Sequence, residues 1–415
     1  MLKTLVYALL LLMGVTGGMF IPAVGAIACV GAYLLNPIVL TDVDFRAQLL
    51  TTLALVISLL LRGGRGLRPV GNEAIPLQAL WVFTAIAMLS FLWAEVRPDE
   101  ALERSIEVAK TVLLTTLLTR AIRTERELSW VLLACIVGVW HAALAHTIGV
   151  RLDYVSRVYE RDRGVLPDSH GAVLICFVPL ILLLAWKGRL HERVICLLAL
   201  PFVLNSIIST YQRTYFLALV VQTVLLLLQL PKRISIRLLP ILALAAGLFV
   251  FRFAPEDYWQ KMGTIKKPTE EASANSRFAI NECSQQMLLD HPFGVGYWNY
   301  RYVSPRYLDD DYLTEGTRSA HNSFFSVACE TGLQGFAAWS VAFLGTTWML
   351  RRLWKRRGGG PITRLPLLAL GLELGLCGWL WGGLTQGDQE TDPAYWFVAF
   401  AVILARLQPN ERLIR

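Results

Sequence analysis

A histidine at the head of an apolar helix, a set of arginines in polar turns and two acidic runs are the residues through which this chain could do chemistry. His321 stands in Ser319-Ala320-His321-Asn322-Ser323-Phe324-Phe325, directly after a long polar segment. A neutral imidazole can take a proton from an alcohol near neutral pH, because its reference pKa is about 6.5. The plainer alternative is a hydrogen-bonded structural histidine at a helix start. Arg213 lies in Ser209-Thr210-Tyr211-Gln212-Arg213-Thr214, a tight polar turn between two strongly apolar runs. A guanidinium there must pair, snorkel to an interface or face a water-filled cavity. Arg151, Arg157, Arg161 and Arg163 crowd one short segment together with Asp153, Glu160, Asp162 and Asp168. Two readings fit: a solvated loop whose charges cancel, or an anion site, since guanidinium forks hydrogen-bond phosphate bidentately. His170, at the start of the next apolar run, is a secondary candidate.

Metal chemistry has thinner support. Asp42-Val43-Asp44 has the DxD spacing with which many sugar transferases hold a divalent ion on a diphosphate, and Asp309-Asp310-Asp311 is an acidic run. Acidic loops account for both. His141 and His146, five apart in one helix, point to different faces and make a poor metal pair. The sequence has no Walker A loop, no His/Cys metal box and no GxSxG. We therefore expect no metal and no cofactor.

The elements that must position these residues are transmembrane helices. Of 415 residues 55% are hydrophobic and only 17% charged, against roughly 25% charged in soluble domains. The apolar residues recur in runs of about 16 to 22 along the whole chain, and about 20 suffice to cross a bilayer. The runs do not alternate apolar with polar, which excludes barrel strands. Basic clusters at Arg62/Arg65/Arg68, Arg120/Arg123/Arg126, Lys187/Arg189/Arg193, Lys232/Arg233/Arg237 and Arg351/Arg352/Lys355/Arg356/Arg357 read as cytoplasmic, as does the tail from Arg406. The net charge of +8 is then mostly an orientation signal, and no nucleic-acid partner is needed to explain it.

This placement predicts an all-α polytopic membrane protein with helices near 46–61, 76–95, 101–119, 128–150, 169–186, 194–209, 215–230, 238–253, 333–350, 366–384 and 394–407. The stretch 4–40 could make two crossings. The sidedness of Arg62 favours one crossing plus a re-entrant or interfacial piece broken at Gly14, Gly17, Gly18 and Pro22, for about 12 helices with both termini cytoplasmic. Residues 1–20 read as a signal anchor with no clear cleavage site. The seven cysteines fall mostly within helices and imply no disulfide framework. Three parts follow: N-terminal helices with short outer loops over 1–253, one large outer loop over 254–320, and C-terminal helices over 321–415. A loop of that length carries structure or function. Within it, Ser276 can cap a helix that puts Ile280, Cys283, Met287 and Leu288 on one face. His291-Pro292-Phe293-Gly294-Val295-Gly296 then ends it in a turn.

His321-Asn322, nine residues, then Gly332-Leu333-Gln334-Gly335 resembles the H-[NSQ]-x9-G-x-x-[GTY] signature of bacterial O-antigen ligases and protein O-oligosaccharyltransferases. The loop ahead of it, with Arg277 and Pro292-Phe293-Gly294-Val295-Gly296, is similar to the same superfamily's pattern, and Arg213 stands where that superfamily places an arginine in a short outer turn. By motif the resemblance covers roughly residues 150–350. It implies a GT-C type glycosyltransferase of the Gram-negative inner membrane with its active site facing the periplasm. The implied partners are undecaprenyl-diphosphate-linked O-antigen as donor, lipid A–core as acceptor and the surrounding membrane lipids. On this resemblance His321 is the catalytic residue, while Arg157, Arg161, Arg163, Arg213 and Arg277, with Asn322 and His170, hold diphosphate or substrate without a metal. Rival readings are an O-antigen or exopolysaccharide polymerase, a protein O-oligosaccharyltransferase and, from another class, a transporter of an anionic lipid.

Overall fold

The computed structural model of the chain describes residues 2–35, 46–61, 71–151, 167–210, 212–237, 239–240, 272–314, 316–356, 360–387 and 389–408. Among these the structure is helical throughout, with one isolated bridge between Thr314 and Thr317. The longer helices are α1 (Leu2–Phe20), α2 (Pro22–Leu35), α3 (Ala47–Leu61), α4 (Ile75–Leu89), α5 (Pro98–Ala121), α6 (Glu125–Arg151), α7 (Pro167–Lys187), α8 (Leu190–Ser209), α9 (Arg213–Gln229), α10 (Ala272–Asp290), α11 (Ser323–Lys355), α12 (Arg364–Gly382) and α13 (Asp392–Leu407). Among the described residues, four stretches are long and apolar enough to cross a membrane by themselves: Ile75–Leu92, Glu125–Ala145, Leu190–Ile208 and Arg364–Gly382. Five shorter apolar helices accompany them, among them Ala47–Leu61 and Arg213–Gln229. Each helix expected from 46–61 onward has a counterpart, except 238–253, nearly all of which lies outside the described residues.

In the N-terminal stretch α1 and α2 form an antiparallel hairpin turning at Ile21, beside the expected break at Pro22. Gly14 sits against Ala28, Gly17 against Val24 and Gly18 against Gly25. Small residues on both helices let the backbones approach to contact distance, which is how helices associate when lipid removes the hydrophobic drive between them. The glycines read as breakers in the sequence are instead the packing seam.

At the centre runs α13. Every residue from Pro393 to Ala405 is buried, as expected of a helix that is apolar all round. Phe397 meets Phe177 of α7 edge to face, and Tyr395 meets Phe343 of α11 in the same way. Such aromatic pairs add about 0.5–1.5 kcal/mol beyond area burial.

One end of the bundle is tied by charge. Arg364, at the start of α12, grips both oxygens of the buried Glu192 on α8. Its Nη2 and Nε also donate to Ser129 Oγ at 2.8 and 3.2 Å, and Nε lies 3.2 Å from Glu125 Oε1, both on α6, while Arg189 approaches Glu125 at 3.7 Å. The helix junctions at 121–125, 187–190 and 355–364 therefore meet at this end, and with them three of the basic clusters. The opposite ends of these helices carry the candidate site.

Candidate active site

His321 is held in a conformation that its own backbone disfavours. Its φ is +46°, one of three positive values at non-glycine residues among those described. A left-handed backbone costs an L-residue roughly 1–2 kcal/mol and persists only where the surroundings over-determine it. Here they do. Asn322 follows in extended geometry (φ −154°, ψ 112°) as the N-cap of α11, its Oδ1 accepting from Phe324 N at 2.9 Å and Phe325 N at 3.2 Å. Ser323 N donates to Gly383 O at 2.7 Å, and Ser323 Oγ donates to Gln386 O at 2.9 Å. His321 is half-buried, between the polar loop and this anchored helix start. The cap explains why Asn322 is Asn in a way the signature does not: its side-chain oxygen is engaged with the backbone.

The second half of the signature breaks the same helix. Gly332 has φ +72° and ψ 179°, so α11 is two helices meeting at a kink. The hydrogen bonds lost there are exchanged with the Pro292–Gly296 turn. Val295 N donates to Cys329 O at 2.8 Å and Gly296 N to Glu330 O at 3.0 Å, while Leu333 N donates to Pro292 O at 3.1 Å. Gln334 Nε2 closes the joint on Phe293 O at 3.0 Å. Buried carbonyls that a broken helix would orphan thus receive partners from the loop. Behind the joint, α10 lays Ile280, Cys283 and Met287 into a small core with Val295, Tyr300, Val303, Leu308, Ala320 and Cys329, with Leu288 at its edge. This is the face read from the sequence; its helix begins at Ala272, ahead of the expected Ser276 cap.

Arg213 opens α9 and is half-buried. Its neighbours on either side bond the turn that anchors α11: Thr214 Oγ1 meets Thr385 Oγ1 at 2.5 Å, and Gln386 Nε2 donates to Gln212 Oε1 at 3.4 Å. The 383–386 turn therefore links the residues flanking Arg213 to Ser323, two positions after His321. The Tyr215 ring lies against Gly171, which places the start of α7, with His170 in its first turn, beside the start of α9. Arg277 is half-buried on α10. The adjacent Ser276 Oγ accepts from Arg318 Nη2 at 3.5 Å, and Arg318 Nη1 donates to Thr314 Oγ1 at 2.8 Å. This contact sets the start of α10 beside Arg318, just ahead of His321 in the chain. Arg157, Arg161, Arg163, Asp42 and Asp44 lie outside the described residues, as does the side chain of His170.

Sequence reading passed over a buried acidic group beside this joint. The backbone N–H groups of Trp298 and Tyr300 face the carboxyl of Glu330, which is wholly buried. Tyr297 Oη donates to Glu390 Oε1 at 2.9 Å. Burial pushes Glu390 up to about 7, against the Tyr297 hydrogen bond and the positive charge of Arg104. Arg104 lies 4.6 Å over the Trp298 ring, a cation–π contact. The available signal was Glu390 and Asp392 standing together just ahead of an apolar helix, where isolated carboxylates are costly.

The segment after His321 is thus braced against a turn that also bonds the arginine-bearing start of α9, and the Gly332 joint is braced against the Pro292–Gly296 turn. A group that can accept a proton and guanidinium groups suited to phosphate are what these segments can offer chemically. Residues 198–340 match the family model for O-antigen ligase. No curated protein matches the chain. The matched stretch contains Arg213, Arg277, His321, Asn322 and the Gly332 break, and over that stretch the chain is similar to the O-antigen ligase family.

Proposed function

We propose that the protein is an inverting, metal-independent glycosyltransferase. It moves O-antigen polysaccharide from undecaprenyl diphosphate to a sugar hydroxyl of lipid A–core, at the periplasmic face of the Gram-negative inner membrane. The observation that carries this reading is the left-handed His321, pinned by its N-cap and by a turn that also bonds the residues beside Arg213. In the reaction the acceptor oxygen attacks the anomeric carbon from the face opposite the leaving group. The C1–O bond breaks with its electron pair going to the diphosphate, and the acceptor proton passes to the imidazole of His321. Arg213 and Arg277, with Arg157, Arg161 and Arg163, hold the diphosphate and stabilise the charge that grows on it. Diphosphate is already a good leaving group, so guanidinium groups can take the place of a metal ion. Ligation is preferred to polymerisation on the strength of the family description; a polymerase would use the same donor chemistry and join chain to chain.

Arg213→Ala is expected to lower transfer by about 10²-fold, the scale found when one preorganised donor to a developing charge is removed. Arg213→Lys should recover little of it, because an ammonium offers a point charge in place of a planar fork. Single-turnover transfer by the purified protein, with melting temperature as a folding control, checks both. Full activity in the alanine variants of Arg161, Arg163 and Arg213 alike refutes the anion-site reading.

The orientation is tested separately. A cysteine introduced between Gly296 and Arg318, in a background without exposed cysteines, should react with a membrane-impermeant maleimide in intact spheroplasts. Labelling only after lysis would place His321 on the cytoplasmic side and remove the periplasmic reaction.

A further inference from the structure

Away from His321 the structure holds a cavity of about 860 Å³ between α2, α3, α5 and the start of α13. Among the described residues, none of those assigned to the diphosphate or to proton transfer lines it. Its two long walls change character in the same direction. On α3 the lining begins with Arg46 and Gln48 and continues as Leu49, Leu53 and Val56; on α5 it begins with Arg104, Glu107 and Lys110 and ends at Leu113 and Leu114. At 1.5 Å per residue, the path from Arg46 to Val56 is about 15 Å long. Leu49, Leu53 and Leu113 are exposed along this path, so the apolar half is open sideways. A polar mouth over an apolar slot that opens laterally is complementary to one kind of molecule, a lipid lying with its chain in the bilayer and its head at the surface.

The mouth also says what kind of head. It sets three cations, Arg46, Arg104 and Lys110, among three acids, Glu107, Glu390 and Asp392. The acids are organised: Lys110 Nζ meets Glu107 Oε1 at 2.7 Å, and Asp392 Oδ1 accepts from Thr111 Oγ1 at 2.5 Å. Cations alone would suit any anionic phospholipid. Carboxyl groups interleaved with them would repel a bare phosphate, but they accept hydrogen bonds from sugar hydroxyls while the cations take phosphate. The volume lies within the usual range of about 300–1,000 Å³ for ligand pockets.

We propose that this cavity is a second lipid site, taking the phosphorylated sugar head of a glycolipid at its mouth and part of one acyl chain between α3 and α5. In the transfer reaction the occupant is the acceptor, and that role rests on the function proposed above; the binding assignment does not. The test is native mass spectrometry of the full chain in detergent with three probes: lipid A, undecaprenyl diphosphate and phosphatidylethanolamine. Leu53→Trp, which fills the apolar slot, and the double variant Glu107→Gln/Lys110→Gln are compared with wild type at matched melting temperature. Retention of lipid A should fall about tenfold in each, the scale of a lost charge-assisted contact, with retention of undecaprenyl diphosphate unchanged. Wild-type retention of lipid A in both variants overturns the proposal, as does displacement of lipid A by equimolar phosphatidylethanolamine. A variant-sensitive lipid A signal in a protein that performs no transfer upholds the second site and sinks the proposed reaction instead.

Discussion

His321→Ala is expected to lose ligation by about 10² to 10⁴ in rate, the cost of removing a general acid or base, while still binding undecaprenyl-diphosphate-linked donor. On a gel, lipid A–core would remain uncapped over times in which wild type caps it fully. The backbone makes a second variant more informative. His321 sits at φ +46°, a region glycine enters without penalty. His321→Gly therefore removes the imidazole and relieves local strain together. It should melt no lower than the alanine variant and be equally inactive, which separates lost chemistry from lost structure. EDTA should not imitate either variant, because the proposed stabilisation of the leaving group is by arginine. The decisive assay uses purified enzyme, donor and lipid A–core without added metal. Wild-type-like capping by the alanine variant would overturn His321 as the proton acceptor, and EDTA inhibition reversed by Mg²⁺ or Mn²⁺ would bring Asp42 and Asp44 back into consideration.

The second large effect is expected at Gly332. A Cβ built there lies 2.5 Å from the carbonyl carbon of Phe293 and 2.6 Å from its oxygen. Both are backbone atoms in a turn already fixed by four hydrogen bonds, so nothing cheap can yield. The backbone itself, at φ +72° and ψ 179°, is in territory that only glycine uses freely, worth about 1–3 kcal/mol of strain for any other residue. Gly332→Ala should therefore destabilise the protein by about 3 kcal/mol or more once the clash is added to the strain. Gly316→Ala supplies the control. Gly316 has nearly the same φ, +73°, but a Cβ there meets nothing within 4 Å. If the two variants melt alike, backbone strain alone accounts for the effect and the docking of the Phe293 turn contributes nothing to stability.

Much of the fold is legible in the sequence because its signal is local. Runs of apolar residues place α3 to α9 and α11 to α13, and basic clusters find three of the junctions that the Arg364 network ties together. The buried face of α10 follows from periodicity. What escapes is pairwise. Gly14, Gly17 and Gly18 look like helix breakers until α2 is seen against them, and Gly332 looks like the start of a helix where it is the interruption of one. The cap made by Asn322 Oδ1, a residue expected to hold substrate, is also invisible without the backbone. A cap and a ligand contact favour the same residue types, so composition alone cannot separate them. Glu330 and Glu390 were overlooked because their partners, the Trp298 and Tyr300 backbone and the Tyr297 hydroxyl, come from a segment distant from both in sequence.

The exchange of hydrogen bonds at the α11 kink also bears on how related chains should be searched for. Cys329 O and Glu330 O are served by Val295 and Gly296, and Pro292 O is served by Leu333. Neither segment is satisfied without the other, since losing the turn would strand carbonyls inside the protein and restoring a straight helix would strand the turn. The two stretches form one structural unit, whatever the length of chain between them. A pattern written around the histidine alone admits any helix that happens to begin with His-Asn and contains suitably spaced glycines. A pattern that demands both halves, with glycine at the positions equivalent to 294, 296 and 332 and no fixed gap between turn and helix, describes a joint that must be assembled in space and will reject those coincidences.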